Sequence, residues 1–228
     1  MRARKKRRDI GLLLGALALF AVPIAGRAQT AAPAADGIIE RLGVETDADI
    51  DVAALRQQAA DRIKARADAQ PQKRPPLAPQ LSKLPQVRFD VAFDPDSSLI
   101  RPASYQTIGS LADALSDPKL RPYRFLIVDH TESGGRRDAN LTLSQRRADS
   151  IRDVLVSTFK ISSKRLQGLG LGEEQLQDVN RPTSPANARV QIITVGKLEI
   201  PVPAAAPNAP AAKQGPATAA KSGRKKRQ

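Results

Sequence analysis

The order of strand and helix patterns between Val87 and Val195 is the feature that most constrains the fold of this chain. Six patterns follow in the order strand, helix, strand, helix, strand, strand, at 87–94, 102–117, 125–128, a segment ending near 159, 168–172 and 190–195. Gly168, Gly170 and Gly172 in the third strand indicate that it bends or crosses close to other backbone. This order predicts an α+β domain in which two helices pack on one face of a small mixed sheet (β-α-β-α-β-β).

The two helix patterns differ in what they present to the core. The first places its inner face at Tyr105, Ile108, Leu111, Ala112 and Leu115. The second has a core stripe made of Leu141, Ser144, Ala148, Ile151, Leu155 and Phe159. At about 100° per residue, Asn140, Leu143 and Arg147 form a neighbouring stripe. Arg147 therefore lies near the edge of the buried face, where its side chain can be held and still meet a ligand.

An acidic residue, Glu132, lies in the loop before this second helix. A carboxylate and a guanidinium on opposite walls of a groove can hold the ammonium and the carboxylate of a zwitterionic ligand. The plain alternative is an exposed salt bridge between Glu132 and Arg147, which contributes little to stability. A hydrolase built from His130 and Ser144 is a further alternative, but no nucleophile elbow or oxyanion-hole motif accompanies Ser144. The pattern therefore favours binding over catalysis.

A longer motif runs through this region. Its members are Thr131, Gly135, Asn140, Leu143, Ser144, Arg147, Ala148, Arg165, Leu166, Gly170, Gly172 and Glu173. In order and spacing, these residues resemble the signature of the OmpA C-terminal-like peptidoglycan-binding family. The resemblance extends from about Val87 to Gly196.

The resemblance implies a non-enzymatic domain that binds peptidoglycan without a cofactor. It implies that Glu132 accepts hydrogen bonds from the ammonium group of diaminopimelate in the stem peptide, while Arg147 binds the carboxylate. Asn140 is expected to fix the loop, and Leu143 is expected to form an apolar wall.

Three further residues complete the predicted ligand-binding set. Phe93 is expected to line the groove as a second apolar wall, although a plain core position fits it equally well. Thr131 and Arg189 occupy other positions of the family pattern and are assigned to the same ligand.

Three positions depart from the family pattern. Glu132 replaces an aspartate and is one methylene longer, Asp129 replaces a glycine, and Ala188 replaces an arginine of the closing motif. These changes motivate a second hypothesis, in which a degenerate domain of the same fold serves as a periplasmic protein-interaction scaffold and does not bind the wall.

Positive charge is concentrated at the two ends of the chain, whose net charge is +14. Residues 1–28 combine a basic run, an apolar run and small residues, which is typical of an export signal. Residues 198–228 are rich in Pro and Ala, end in basic residues and are predicted to be disordered. A nucleic-acid binder driven by this tail would require a cytosolic location, so we predict no nucleic-acid partner.

Residues 29–84 are rich in Ala, Pro and Gln and are predicted to be a linker before a domain at 85–197. Within the linker, 51–69 favours a helix with a thin apolar stripe at Leu55, Ala59 and Ile63. Because this stripe is narrow, the pattern predicts a solvated spacer helix rather than a partner-binding helix.

The absence of cysteine excludes disulfides, thiolate metal sites and a lipid-modified N-terminal cysteine, and one His excludes a His-rich metal site. The export signal predicts a protein of the periplasm or the outer membrane of a diderm bacterium, with peptidoglycan and other envelope proteins as partners. An uncleaved signal would instead tether it to the inner membrane.

Overall fold

Four strands form one mixed sheet. The computed structural model describes residues 34–48, 50–65, 70 and 73–198. The strands are β1 (Gln86–Phe89), β2 (Tyr123–His130), β3 (Leu166–Gly172) and β4 (Arg189–Lys197), in the spatial order β1-β4-β2-β3. Strand β4 is antiparallel to both β1 and β2, whereas β2 and β3 are parallel. The predicted mixed sheet is confirmed.

The described residues also form four α-helices, α1 (Ala35–Leu42), α2 (Val52–Lys64), α3 (Tyr105–Ser116) and α4 (Arg137–Ser157). Helices α3 and α4 pack on one face of the sheet, as predicted, and α1 packs beside α3. The core on this face includes Ile38, Leu42, Ile108, Leu111, Leu115, Phe125, Ile127, Ile151, Leu155 and Ile192. The apolar stripe of α4 is therefore its core face.

Helix α4 rests directly on the backbone of β3. A Cβ atom at Gly170 would lie 2.1 Å from the backbone nitrogen of Gln145, so only glycine fits there. The Ser144 hydroxyl accepts a 2.9 Å hydrogen bond from the Gly172 N–H and donates to the Leu141 carbonyl. This contact explains the glycine run of β3 and fixes the start of α4 beside the end of that strand.

The opposite face of the sheet is covered by residues predicted to be a linker. Helix α2 buries Val52, Leu55 and Ala59, and residues 77–81 bury Leu77, Ala78 and Leu81. They pack on Leu126, Val128, Leu169, Leu171, Ile193 and Val195 of the strands. The prediction of a solvated spacer helix at 51–69 is wrong.

The reason lies in the strands rather than in the helix. Strand β2 is buried at all but one of its eight positions, and successive side chains point to opposite faces, so both faces of the sheet are apolar. Such a sheet needs a cover on each side. The narrow stripe of α2 suffices because the short 3₁₀ helix Pro79–Lys83 and the residues before it cover the rest of the face.

Two details also differ from the sequence prediction. The first strand ends at Phe89 rather than near Asp94, because residues 92–101 fold back on themselves: the Asp94 N–H donates to the Leu99 carbonyl at 2.9 Å. Tyr105 was expected on the inner face of its helix but is 45% exposed, because it is the first residue of α3.

The predicted export signal at 1–28 lies outside the described residues, as does the tail beyond residue 198 and the end of the predicted helix at 66–69. Among the described helices, none combines the length and apolar character needed to cross a bilayer.

Candidate ligand-binding site

The loop between β2 and α4 is held at both ends by hydrogen bonds. The Thr131 N–H donates to the Gly172 carbonyl at 3.0 Å, and the Ser133 N–H donates to the Pro182 carbonyl at 2.9 Å. From the first turn of α4, the Asn140 side-chain amide donates to the Gly134 carbonyl at 2.9 Å and, more weakly, to the Glu132 carbonyl at 3.5 Å. Asn140 therefore holds the loop that carries Glu132.

The guanidinium group of Arg147 is fixed on two sides. Its Nε donates to the Ser97 carbonyl at 2.9 Å, and its Cζ lies 4.8 Å from the centre of the Phe93 ring. The Phe93 ring is partly buried at the edge of the core, so it supports the guanidinium from below. The two terminal nitrogens of Arg147 have no acceptor within the described part of the chain.

The Glu132 side chain is exposed and does not pair with Arg147. Within the described residues, its carboxylate makes neither a hydrogen bond nor an ion pair. The salt-bridge alternative therefore finds no support, because both charged groups are present but unpaired. Leu143, one turn before Arg147 on the same stripe of the helix, is half-buried.

The family match to known proteins covers the region that contains this site. Residues 92–190 match the model of the OmpA family. These residues form an OmpA-like domain. The resemblance inferred from the sequence motif is thereby confirmed.

Curated relatives extend well beyond the OmpA-like domain. Outer membrane porin F of Pseudomonas aeruginosa is 37% identical over 98 residues, which cover 42% of this chain and 27% of that protein. A peptidoglycan-associated lipoprotein of Brucella melitensis is 36% identical over 85 residues, covering 37% of this chain and 49% of the relative. The chain thus spans between about a quarter and a half of the length of these relatives.

Among solved structures, the chain is similar to the peptidoglycan-associated lipoprotein from Burkholderia pseudomallei. The two are 25% identical, and the match covers 48% of this chain and 88% of the other with a TM-score of 0.37.

Arg189 forms neither an ion pair with Glu132 nor a hydrogen bond with Glu132 or Arg147 in the described part of the chain. It is buried at the start of β4, where its terminal nitrogens donate to the carbonyls of Asn187 at 3.1 Å and Gln175 at 3.0 Å. Its link to the predicted site is indirect and runs through Asp129. Burial raises the pKa of the Asp129 carboxyl well above its usual value, and the positive charges of Arg147 and Arg189 oppose that shift.

Sequence reasoning missed a buried ionic network at the edge of this site. Arg74 donates to Glu173 at 2.7 Å and to Glu174 at 2.9 Å, and Arg137 also donates to Glu174 at 2.7 Å. The other oxygen of Glu173 accepts a 2.9 Å hydrogen bond from the Asn140 amide. The segment before the OmpA-like domain is thereby tied to the residue that holds the Glu132 loop. The pairing of Arg74 with acids 99 and 100 residues later leaves no local pattern in the sequence.

His130 gives the domain a pH dependence that can be measured. Burial lowers the pKa of its imidazole well below 6.5, and the charges of Arg189 and Arg88 lower it further, while Gln191 opposes the shift. In the unfolded chain the His130 imidazole binds a proton near pH 6.5, whereas in the folded chain it stays unprotonated at this pH. We expect this group to lower the free energy of unfolding as the pH falls below about 6.5, by up to about 1.4 kcal/mol per pH unit.

The measurement is urea unfolding of the full chain and of His130→Gln at pH 7 and pH 5. Because the raised pKa of buried Asp129 acts in the opposite direction, the difference between the two proteins is the informative quantity. We expect the parent to lose more stability than the variant on acidification. An equal loss in both would contradict the assignment.

Proposed function

We propose that the OmpA-like domain binds peptidoglycan non-covalently, holding the diaminopimelate of the stem peptide between Glu132 and Arg147. The observation that carries the proposal is the state of Arg147, whose Nε and ring-facing side are occupied while its terminal nitrogens have no acceptor in the described residues. A guanidinium held in this way can form two parallel hydrogen bonds to a carboxylate without first losing rotational freedom. The peptidoglycan-associated lipoproteins among the relatives agree with this ligand by their names.

Glu132 supplies the second half of the recognition. Its unpaired carboxylate accepts from the ammonium group of the same diaminopimelate, which places a negative and a positive group at the two ends of a zwitterion. Compared with the aspartate of the family pattern, glutamate has one more rotatable bond to fix on binding. This costs a few tenths to about 1 kcal/mol of side-chain entropy.

The remaining predicted residues shape the groove. Phe93 and Leu143 form its apolar walls, Asn140 fixes the loop, and Thr131 anchors the loop to β3. Arg189 acts through Asp129 rather than by contact with the ligand. Because the groove is exposed and the contacts are few, the affinity is modest.

The same proposal sets the location and the class of the protein. An exported protein that holds the wall is a component of the cell envelope, at the periplasm or the outer membrane, or at the inner membrane if the signal stays uncleaved. It acts by binding and not by catalysis. The Ser144 hydroxyl, which a hydrolase would need, is buried and engaged with Leu141 and Gly172.

Sedimentation with purified sacculi tests the role of Glu132. We expect the full chain and Glu132→Asp to be retained on the pellet, because both keep a carboxylate at the end of the loop. Glu132→Gln should be retained at least fivefold less, because the amide keeps the shape but loses the charge-assisted hydrogen bond, worth about 1.5–3 kcal/mol. Asp138→Asn, which removes an exposed carboxylate from the neighbouring turn, is the matched control.

Retention of Glu132→Gln at the level of the parent would contradict the proposal that Glu132 binds the ammonium group of the ligand. If the parent is not retained and Glu132→Asp is, the groove is a family site that has lost its ligand. That result would favour the scaffold hypothesis motivated by the three departures from the family pattern.

A further inference from the structure

A cavity of about 420 Å³ lies on the face of the sheet opposite α3 and α4. Its floor is formed by β1, β4 and β2, and its walls by residues 76–82 and 175–177. A volume of this size falls within the range of about 300–1,000 Å³ that small-molecule sites occupy. Arg88 and residues 76–82 lie outside the region that matches the OmpA family, so part of this cavity belongs to this chain's own sequence.

The lining of the cavity is cationic. The two positive charges are those of Arg88 and Arg189, and no Asp or Glu stands among the described residues that line it. His130 also lines the cavity, but its lowered pKa leaves it uncharged near neutral pH. The other polar groups are the side chains of Ser82, Gln86, Gln175, Gln177 and Gln191, which can both donate and accept hydrogen bonds and carry no charge. Such a lining suits an anion and disfavours a cation.

Both guanidinium groups are held in place by the protein. Arg189 donates to two backbone carbonyls, and Arg88 donates to the Gln177 side chain at 3.0 Å and to the Ala186 carbonyl at 3.4 Å. A guanidinium has five N–H donors, so each group retains donors beyond these bonds. The positions of the two charges are thus set before any ligand arrives.

The positive charge in the cavity is not fully compensated. Burial and the nearby charge of Arg88 lower the pKa of Arg189 to about 10. The charge of Asp129 opposes this shift, but Asp129 does not line the cavity. The His130 ring is 1% exposed, and neither of its nitrogens makes a hydrogen bond of normal geometry, although Gln191 is near. An anion between these groups would relieve the repulsion and supply the missing partner.

We propose that this cavity is a second ligand site, which binds a small molecule or chain end bearing an oxyanion between Arg88 and Arg189. The oxyanion is a carboxylate or a phosphate, since both accept hydrogen bonds from two guanidinium groups. This site is separate from the groove at Arg147 and does not depend on peptidoglycan binding there.

The single histidine of the chain provides a direct probe. The imidazole resonances of the full chain are followed by NMR while sodium phosphate and sodium acetate are added in separate titrations. Sodium chloride at equal ionic strength is the control for screening. We expect a saturable shift with at least one oxyanion and a smaller, non-saturating shift with chloride.

Variants then show which residues hold the anion. Arg88→Gln should raise the dissociation constant about tenfold, because it removes one charge-assisted contact. Arg146→Gln, which neutralises an exposed arginine on the far face, should leave the dissociation constant unchanged. Arg189→Gln should abolish the saturable shift. Arg88 is an exposed residue, so its variant remains informative even if loss of the buried Arg189 unfolds the chain.

Saturation by phosphate alone identifies a phosphate ligand, and saturation by acetate alone identifies a carboxylate ligand. Equal responses to chloride and to both oxyanions would overturn the proposal, as would an unchanged affinity in Arg88→Gln. Arg147→Ala should leave the titration unaffected. A failure of wall binding and a failure of the cavity site are therefore distinguishable.

Discussion

Replacing Arg147 with alanine is expected to lower the affinity of the full chain for a diaminopimelate-containing muropeptide by about tenfold to a hundredfold. The variant would lose the proposed bidentate, charge-assisted contact with the ligand carboxylate. The terminal nitrogens of Arg147 have no competing acceptor among the described residues. A charge-assisted contact of this kind contributes about 1.5–3 kcal/mol in total, which corresponds to about tenfold to a hundredfold in affinity. Isothermal titration calorimetry measures it. Arg147→Lys should recover only part of the affinity, because an ammonium group cannot make the fork.

The neighbouring arginine is the matched control. Arg146 is exposed and points away from Arg147 around the helix, so Arg146→Ala should bind like the parent. Circular dichroism should show both variants folded, because Arg147 makes one hydrogen bond to the Ser97 carbonyl and lies in no buried ion pair of the described chain. Equal affinities for the parent and Arg147→Ala would refute the proposed contact.

Replacing Arg74 with alanine is expected to lower the free energy of unfolding by about 3 kcal/mol, because removal of one partner from a buried ionic network leaves the other charges uncompensated. The side chains of Arg74 and Glu174 are 6% and 1% exposed, so water cannot take over the lost contacts. Arg137 and Asn140 continue to bind the two glutamates and moderate the loss. Urea unfolding at neutral pH measures the difference.

Lys73, the residue before Arg74, is exposed and provides the control. Lys73→Ala should change the free energy of unfolding by less than about 0.5 kcal/mol, as surface substitutions usually do. A similar small change for Arg74→Ala would show that the segment before the OmpA-like domain is not clamped to Glu173 and Glu174. The segment would then be the linker that its composition suggests.

Features that depend on neighbours in the sequence could be predicted. The stripe of Ser144, Ala148, Ile151 and Leu155 recurs at helical spacing, and the helix and its buried face are where this spacing indicates. The continuous apolar run at 125–128 identified an interior strand, and the glycine run of β3 indicated a bend or a close crossing of other backbone, which the structure shows to be that of α4. Each of these signals is contained within one element.

Features that depend on distant residues could not be predicted in the same way. Helix α2 has only a narrow apolar stripe. It is buried because it covers the second apolar face of the sheet, and strands β3 and β4 of that sheet lie more than a hundred residues later in the sequence. The placement of Arg189 depends on strand alternation: its partner across the ladder is His130, and both line the cavity away from α4. A motif assigns such a residue to a family position but does not say which face its side chain occupies.

The burial of α2 and residues 77–81 also determines the order in which the chain can mature. A chain is synthesised from its N-terminus, so this apolar segment emerges before the strands that it covers. Arg74 cannot form its ion pairs until Glu173 and Glu174 have been synthesised, 99 and 100 residues later. Contacts across such separations form slowly, since a long loop must close first. The part of the chain that is made early thus reaches its native position late, and until then it stays exposed to chaperones and proteases.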